Sequence, residues 1–424
     1  MHRLLAIILA GGTGERLSIL SQRRAKPAVP FAGKYRIIDF ALSNCINSGI
    51  SKVIVLTQYQ PVSLMEHIGI GTPWGFVPPD RAIRLLQPYL ARETNRDWYQ
   101  GTADAVFQNM DRILAEDADE AIILSGDHVY KMDYSRMLEF HRAHKADVTL
   151  AVTPMPEKEL HRFGTVTADE NNRVTGFQEK VKKPRSDLVS MGVYIFSMPV
   201  LRKVLENRNG DDFGRHIFPS LVGNLSMYAY TFEGYWRDIG TVDSFWQANM
   251  EILSTSQSFL SDDDWPIYTK EKEGAPTKIG HRATATNLLL SHSCLIEGHV
   301  EHSVIFPGVY IAEGAVVKDS IIMNNTSIGA NCIIDRAILD KDVVIKRDSH
   351  IGWGDDFRIN RLSPKILNSG LTLIGKGTTI SAGYRVGRNC IIFDGITESD
   401  LPPKEVASGE TVKTKRKSAR KHRK

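Results

Sequence analysis

The sequence is poor in cysteine. Four residues (Cys45, Cys294, Cys332 and Cys390) are spread over 424 positions with no Cys-x-x-Cys pair. That spacing excludes a disulfide framework and a cysteine-based zinc site, and it places the chain in a reducing, cytoplasmic compartment. Long apolar runs are also missing: nothing approaches the roughly 20 residues of a membrane span. The opening run Leu4–Ala10 sits at the short end of the roughly 7–15 residues of a secretory core and reads as a buried first strand. A Walker A loop is absent, because no Gly-Lys-Ser/Thr follows the first glycines. So is a dinucleotide fingerprint, because Leu17 stands where its third glycine belongs.

The net charge of +4 comes from 53 Lys and Arg against 49 Asp and Glu. Residues 413–424 carry eight Lys and Arg and no acid, so the rest of the chain is net −4. The basicity is thus a property of a low-complexity tail, and neither a nucleic-acid partner nor a membrane is expected.

Apolar runs at Leu4–Ala10, Lys52–Gln58, Ala121–Leu124, Asp147–Val152 and Val193–Ser197 alternate with helical patterns near Asp39–Ser48, Asp104–Ala115 and Tyr134–His144. This predicts an α/β domain over 1–253 with a Rossmann-like, mostly parallel sheet whose ligands gather at the strands' carboxyl ends. Residues 254–285 read as a linker. From Leu288 the apolar residues step by six, six and five (Leu288, Cys294, Val300; Ile305, Ile311, Val317; Ile322, Ile328, Ile334; Leu339, Ile345, Ile351), which is 17 per turn. After 352–370 the step resumes at Ile374, Ile380, Val386 and Ile392. The period predicts a triangular parallel β-helix over 286–400, followed by a basic, disordered tail over 401–424.

Three segments carry chemistry. Leu4–Ala10 runs into Gly11-Gly12-Thr13-Gly14-Glu15-Arg16, a turn that is either merely tight or a backbone cradle for phosphate. Arg16, Arg23, Arg24, Lys26, Lys34 and Arg36 follow closely, which is either a solvated basic surface or a polyphosphate site. The strand ending Ser125-Gly126-Asp127 offers a carboxylate as metal ligand or as helix cap. Tyr235-Trp236-Arg237-Asp238 offers a second. His141 and His144 form a helical pair on what reads as a solvated face.

These segments, with Arg24-Ala25-Lys26-Pro27-Ala28-Val29, Ile37-Ile38-Asp39-Phe40-Ala41-Leu42-Ser43-Asn44-Cys45 and Trp98-Tyr99-x-Gly101-Thr102-Ala103-Asp104-Ala105, resemble the motif series of the bacterial glucose-1-phosphate adenylyltransferase (ADP-glucose pyrophosphorylase) family from about residue 4 to about 350. The resemblance implies a left-handed β-helix and transfer of the adenylyl group of ATP to glucose 1-phosphate for glycogen synthesis. It implies Mg²⁺ on Asp127 and Asp238, with Asp127, Arg16 and Lys26 as catalytic residues. Gly11, Gly12, Gly14, Gly101 and Thr102 would approach the nucleotide. Tyr99, Gly164, Glu179, Lys180 and Ser190 would take the sugar phosphate, although Glu179-Lys180 by itself reads as a surface charge pair. Arg23, Arg24 and Arg36 match positions for a small phosphorylated effector, and a homotetramer is implied.

The chain departs from the family pattern at Val181 after Lys180, at Arg215-His216 after Asp212-Phe213-Gly214, and at Pro30. Other readings are a transferase for another nucleotide or sugar, a β-helix acyltransferase using His292, His299, His302 or His350, and a non-catalytic regulatory subunit.

Overall fold

The computed structural model describes residues 3–79, 81–88, 98–207, 210–254, 259–270 and 273–414. Leu4–Ala10 lies at the centre of the first sheet, paired in parallel with Lys52–Thr57 on one side and Glu120–Ser125 on the other. Ala82–Leu86 extends the parallel part beyond Lys52–Thr57. The unbroken apolar run reflects burial of both faces: Ala6 and Ile8 enter one core and Leu5 and Ile7 the other. Each fully buried Leu or Ile side chain among them contributes about 1.5–3 kcal/mol.

The sheet is mixed rather than mostly parallel. Leu188–Ser197 runs antiparallel to both Glu120–Ser125 and Val148–Pro154. Between Pro154 and Leu188 the chain makes an antiparallel hairpin (Gly164–Ala168 with Val174–Glu179). It therefore returns without the helical crossover that a parallel strand requires. Apolar runs alone carry no strand direction. The helix expected over Asp104–Ala115 is two, Thr102–Gln108 and Met110–Leu114. It breaks at Asn109, whose carboxamide donates to Ala105 O and to Tyr99 Oη.

The second half is a parallel coil with the 17-residue register: Ile305 pairs with Ile322 and Ile322 with Leu339, Ile311 with Ile328 and Ile328 with Ile345, and Val317 with Ile334. Its corners recur with the same period. Asn325 and Asp342, and likewise Asn331 and Asp348, adopt positive φ, and each Asn donates to its Asp at 3.2 and 3.1 Å. Short polar side chains tolerate that conformation.

The first turn differs from the expected lattice. Leu290 and Ile296, not Leu288 and Cys294, stack on Ile305 and Ile311, at a spacing of 15, because the corner at Glu297-Gly298-His299 is short. The coil also begins before 286, at Lys278–Ile279, and continues past 400 through Glu405–Val406 and Thr411–Val412. There the spacing widens to 20, which hides these strands from a six-residue lattice. Of the tail, 415–424 lies outside the described residues.

One outer face of the coil (Val304, Ile321, Ile338, Leu373, Ile391) packs on Leu17, Leu20, Phe31 and Phe245 of the first half. The connecting segment is docked as well: Tyr268 N donates to Ser43 Oγ at 2.8 Å and Trp265 Nε1 to Asn44 Oδ1 at 2.9 Å. Among the described residues no helix is long and apolar enough to cross a membrane.

Candidate active site

The glycine turn leaves the carboxyl end of the central strand. Gly14 has φ +67°, and a Cβ there would lie 2.9 Å from Ser21 Cβ. Ser21 Oγ donates to Gly14 O at 2.7 Å and fixes the turn against the short helix Glu15–Ser21. Gly11 lies against Gln58, while among the described residues nothing beyond its chain neighbours comes within 4 Å of a would-be Cβ on Gly12, so that side of the turn is open.

The neighbouring strand ends at Gly126-Asp127. The next short strand, His128–Tyr130, pairs antiparallel with Trp236–Asp238, which sets Asp238 opposite His128. Two carboxylates far apart in the chain therefore converge. Lys26 Nζ bridges them, 2.6 Å from Asp127 Oδ2 and 3.1 Å from Asp238 Oδ1. Ser125 Oγ also donates to Asp127. Arg162 Nη2 is 3.9 Å from Asp238 Oδ2, and Arg16 reaches the same edge, its Nη2 3.1 Å from the would-be Cβ of Gly240. Asp127 is not a helix cap; Asp133 caps the following helix by accepting from Ser135 N.

Electrostatics follow from this packing. Burial opposes ionisation of all three groups, yet their mutual attraction outweighs it. Lys26 is raised above the ordinary lysine value despite burial, by Asp127 and Asp238. Burial would lift both carboxyls, but Lys26 and then His128 hold Asp127 and Asp238 below the usual carboxylate range. Two ionised oxygens and the His128 imidazole lie within 4.8 Å of one another. Such a donor set fits a divalent cation.

A second group lies around the hairpin. Glu179 pairs across the hairpin with Gly164, and a Cβ on either Gly164 or Gly214 would come within 2.6 Å of Glu179 Oε2. Two glycines thus make room for one carboxylate. Lys180 Nζ is 3.0 Å from Glu179 Oε1 and largely exposed. Its backbone takes φ +50°, an uncommon conformation for lysine, held by Lys180 N donating to Phe163 O. Ser190 is buried, its Oγ donating to Tyr194 Oη at 3.3 Å. Tyr99 is tied to the glycine turn through Gln58, whose Oε1 accepts from Tyr99 N at 3.0 Å. Gly101 and Thr102 are engaged by the chain itself: Gly101 abuts the Asp211 backbone, and Thr102 Oγ1 donates to Asp212 Oδ2 and accepts from Phe213 N.

Of the six cations read as one cluster, Lys34 lies over the Tyr35 ring, 5.1 Å from its centroid, and the other five separate into two groups. Arg16 and Lys26 face the carboxylates, whereas Arg23, Arg24 and Arg36 face the coil or its border. Arg24 Nη2 meets Asp340 at 2.8 and 3.0 Å, both side chains buried, and Arg24 Nη1 has no hydrogen-bond partner among the described residues. Arg23 pairs with Asp394 at 2.9 Å. Arg36 donates to Ser63 O and Oγ. Lys341 joins them from the coil; burial and then Arg36 and Arg24 push its ammonium down to about 8.

Sequence reasoning did not single out His128, Arg162, Gly214, Asp340 or Lys341. His128 adjoins a flagged aspartate; Asp340 and Lys341 are brought in only by the fold. The coil histidines are engaged locally, His302 with Asp319 at 2.6 Å and His299 with Thr284 at 2.7 Å. His141 is buried against Thr149 rather than solvated.

Comparison with known proteins agrees with this architecture. The nucleotidyl transferase family model matches residues 5–255, and a GlmU-like C-terminal hexapeptide model matches 275–374, which makes the coil a left-handed β-helix. A glucose-1-phosphate adenylyltransferase of Thermomicrobium roseum is 48% identical over 423 residues, covering 97% of this chain and 98% of its own. Proteins of the same name from Acetivibrio thermocellus and Thermotoga neapolitana are 42% and 43% identical, covering 97% of this chain and 98% and 99% of theirs. With two glycine-lined carboxylate sites on the sheet edge, a hexapeptide coil behind them and near full-length identity of this order, the chain belongs to the glucose-1-phosphate adenylyltransferase family of nucleotidyl transferases.

Proposed function

We propose that this chain transfers the adenylyl group of ATP to α-D-glucose 1-phosphate, giving ADP-glucose for glycogen synthesis and pyrophosphate. The observation that carries the reading is Lys26 held between Asp127 and Asp238 beside an open glycine turn. A phosphate oxygen of glucose 1-phosphate forms a bond to the α-phosphorus of ATP as the bond to the β-phosphate oxygen breaks, and pyrophosphate leaves with that electron pair. The nucleophile is already an anion, so the protein's work is positioning and charge neutralisation.

Arg16 and Lys26 grip the triphosphate and the departing pyrophosphate, while Gly11, Gly12 and Gly14 approach the nucleotide through their backbone and Gly101 and Thr102 complete its pocket. Tyr99, Gly164, Glu179, Lys180 and Ser190 take the sugar phosphate; Glu179 accepts from sugar hydroxyls and Lys180 pairs with the phosphate. A Mg²⁺ ion on Asp127 and Asp238 supplies further neutralisation of phosphate charge when bound. Pyrophosphate release from a panel of nucleoside triphosphates and sugar phosphates tests the reading; no turnover with ATP plus glucose 1-phosphate overturns it.

A phosphorylated metabolite acting as effector at Arg23, Arg24 and Arg36 is the second part of the proposal. It is supported by the unpartnered Arg24 Nη1 and by the depressed Lys341 ammonium, both of which an added anion would relieve. The working form is a cytoplasmic homotetramer. Support for assembly comes from the exposed apolar side chains Val316, Ile333 and Trp353 on the free face of the coil, and light scattering of the purified chain tests it.

A further inference from the structure

We propose that His128 Nε2 is the third protein ligand of the ion held by Asp127 and Asp238, so that the site takes a nitrogen donor beside two oxygens. The inference rests on the carboxylate-pair reading above. Its basis is the locked orientation of the ring. His128 Nδ1 lies 3.0 Å from Met191 O, and a carbonyl only accepts, so Nδ1 carries the proton.

The ring is held on two further sides. Trp236 meets it edge-on, centroids 5.2 Å apart at 85°. Gly192, at φ +69°, brings its backbone so close that a Cβ would stand 3.2 Å from His128 Cε1. A ring flip would lose the Nδ1–H bond to Met191 O, so the observed orientation keeps Nε2 toward the carboxylates. It stands 3.5 Å from Asp127 Oδ1 and 3.7 Å from Asp238 Oδ1. Both separations are too long for a hydrogen bond. What remains is an unshared nitrogen lone pair converging with two carboxylate oxygens. A metal ion is the partner that satisfies all three at once.

The chemical consequence is selectivity. Mg²⁺ prefers an all-oxygen shell, whereas an imidazole in the set moves preference toward Mn²⁺ and Co²⁺.

Pulsed EPR of the full chain with Mn²⁺ and α,β-methylene-ATP tests this, using protein labelled with ¹⁵N only in histidine and unlabelled protein. The expected result is a directly coordinated nitrogen coupling that changes with the label and vanishes in His128→Gln. In that variant Mn²⁺ affinity should fall about 10-fold or more, with Mg²⁺ affinity much less affected. Bound Mn²⁺ that shows nucleotide phosphorus coupling but no label-sensitive nitrogen overturns the His128 assignment and leaves the carboxylate pair standing. No bound Mn²⁺ at all overturns both. If His128→Gln does not fold, the isotope comparison in the unsubstituted chain still decides.

Discussion

Arg24 and Asp340, 316 positions apart, form a buried ion pair across the junction between the sheet domain and the coil, with Arg24 Nη2 at 2.8 and 3.0 Å from the two carboxylate oxygens. A pair so placed adds little net stability, because desolvation offsets attraction, but breaking it strands a charge. Asp340→Asn should therefore destabilise the junction by about 3–5 kcal/mol, read as a lowered melting midpoint. The double variant Arg24→Met/Asp340→Leu should recover most of that loss. A double variant as unstable as the single one would show that the pair does more than satisfy itself.

Lys26 sets the charge state of both carboxylates. Lys26→Gln should lower kcat by about 10²–10³-fold. It should also alter the pH profile in a defined direction. With the ammonium present, Asp127 and Asp238 stay below the ordinary carboxylate range and are ionised throughout neutral and mildly acid pH. Without it, two buried carboxylates share one site and one of them must rise. Activity of the variant should then fall on acidification through that raised value, while the parent enzyme stays flat over the same range. Parallel profiles would contradict this account.

The parts legible in the sequence were those whose signal is local. The six-residue lattice from Ile305 onward and the Gly-Asp at the end of an apolar strand could be read directly, because each depends on neighbours in the chain. The direction of Leu188–Ser197 could not, since an apolar run looks the same either way. Nor could the strands at 405–412, where widened spacing breaks the period. At the site, Asp127 and Lys26 were visible through motif spacing, but the partition of the cations between two surfaces was not. Arg24 and Lys26 are two residues apart and face different partners, the backbone changing at Ala25 from a non-helical conformation to the short helix that begins at Lys26. The room around Glu179 is likewise a tertiary fact, made jointly by Gly164 and Gly214.

That room gives a prediction specific to one substrate. Gly164→Ala or Gly214→Ala would set a methyl group within 2.6 Å of Glu179 Oε2, so the carboxylate must shift. The KM for glucose 1-phosphate should rise about 10- to 100-fold while the KM for ATP stays nearly constant. Equal rises for both substrates would show that Glu179 is not confined to the sugar.

His141 makes the fold acid-sensitive. Burial pushes its imidazole down from the ordinary 6.5 to about 4, so between those values the unfolded chain binds the proton that the folded chain refuses. Stability must then rise with pH through that window and fall on acidification, by at most about 3 kcal/mol from this group. His141→Gln keeps a donor for Thr149 without a titrating ring. Its melting midpoint should lose less between pH 7 and pH 4.5 than that of the parent, and an identical loss would assign the acid sensitivity elsewhere.

Lys341 reports on the junction. Its ammonium is pushed down to about 8 by burial and by Arg36 and Arg24, so near pH 8 about half of it is free amine, against less than about one per cent for an ordinary lysine. It should therefore be among the first lysines acylated by an amine-selective reagent at that pH, as read by peptide mass spectrometry. A bound phosphate brings negative charge to the same cations. That charge must raise the Lys341 pKa and cover its nitrogen, so both effects slow its acylation. Phosphorylated sugars that change turnover should protect Lys341 at the concentrations at which they act, and Lys341→Met should blunt their effect while leaving turnover in their absence intact. A regulator that alters turnover with no change at Lys341 would place the effector away from this junction.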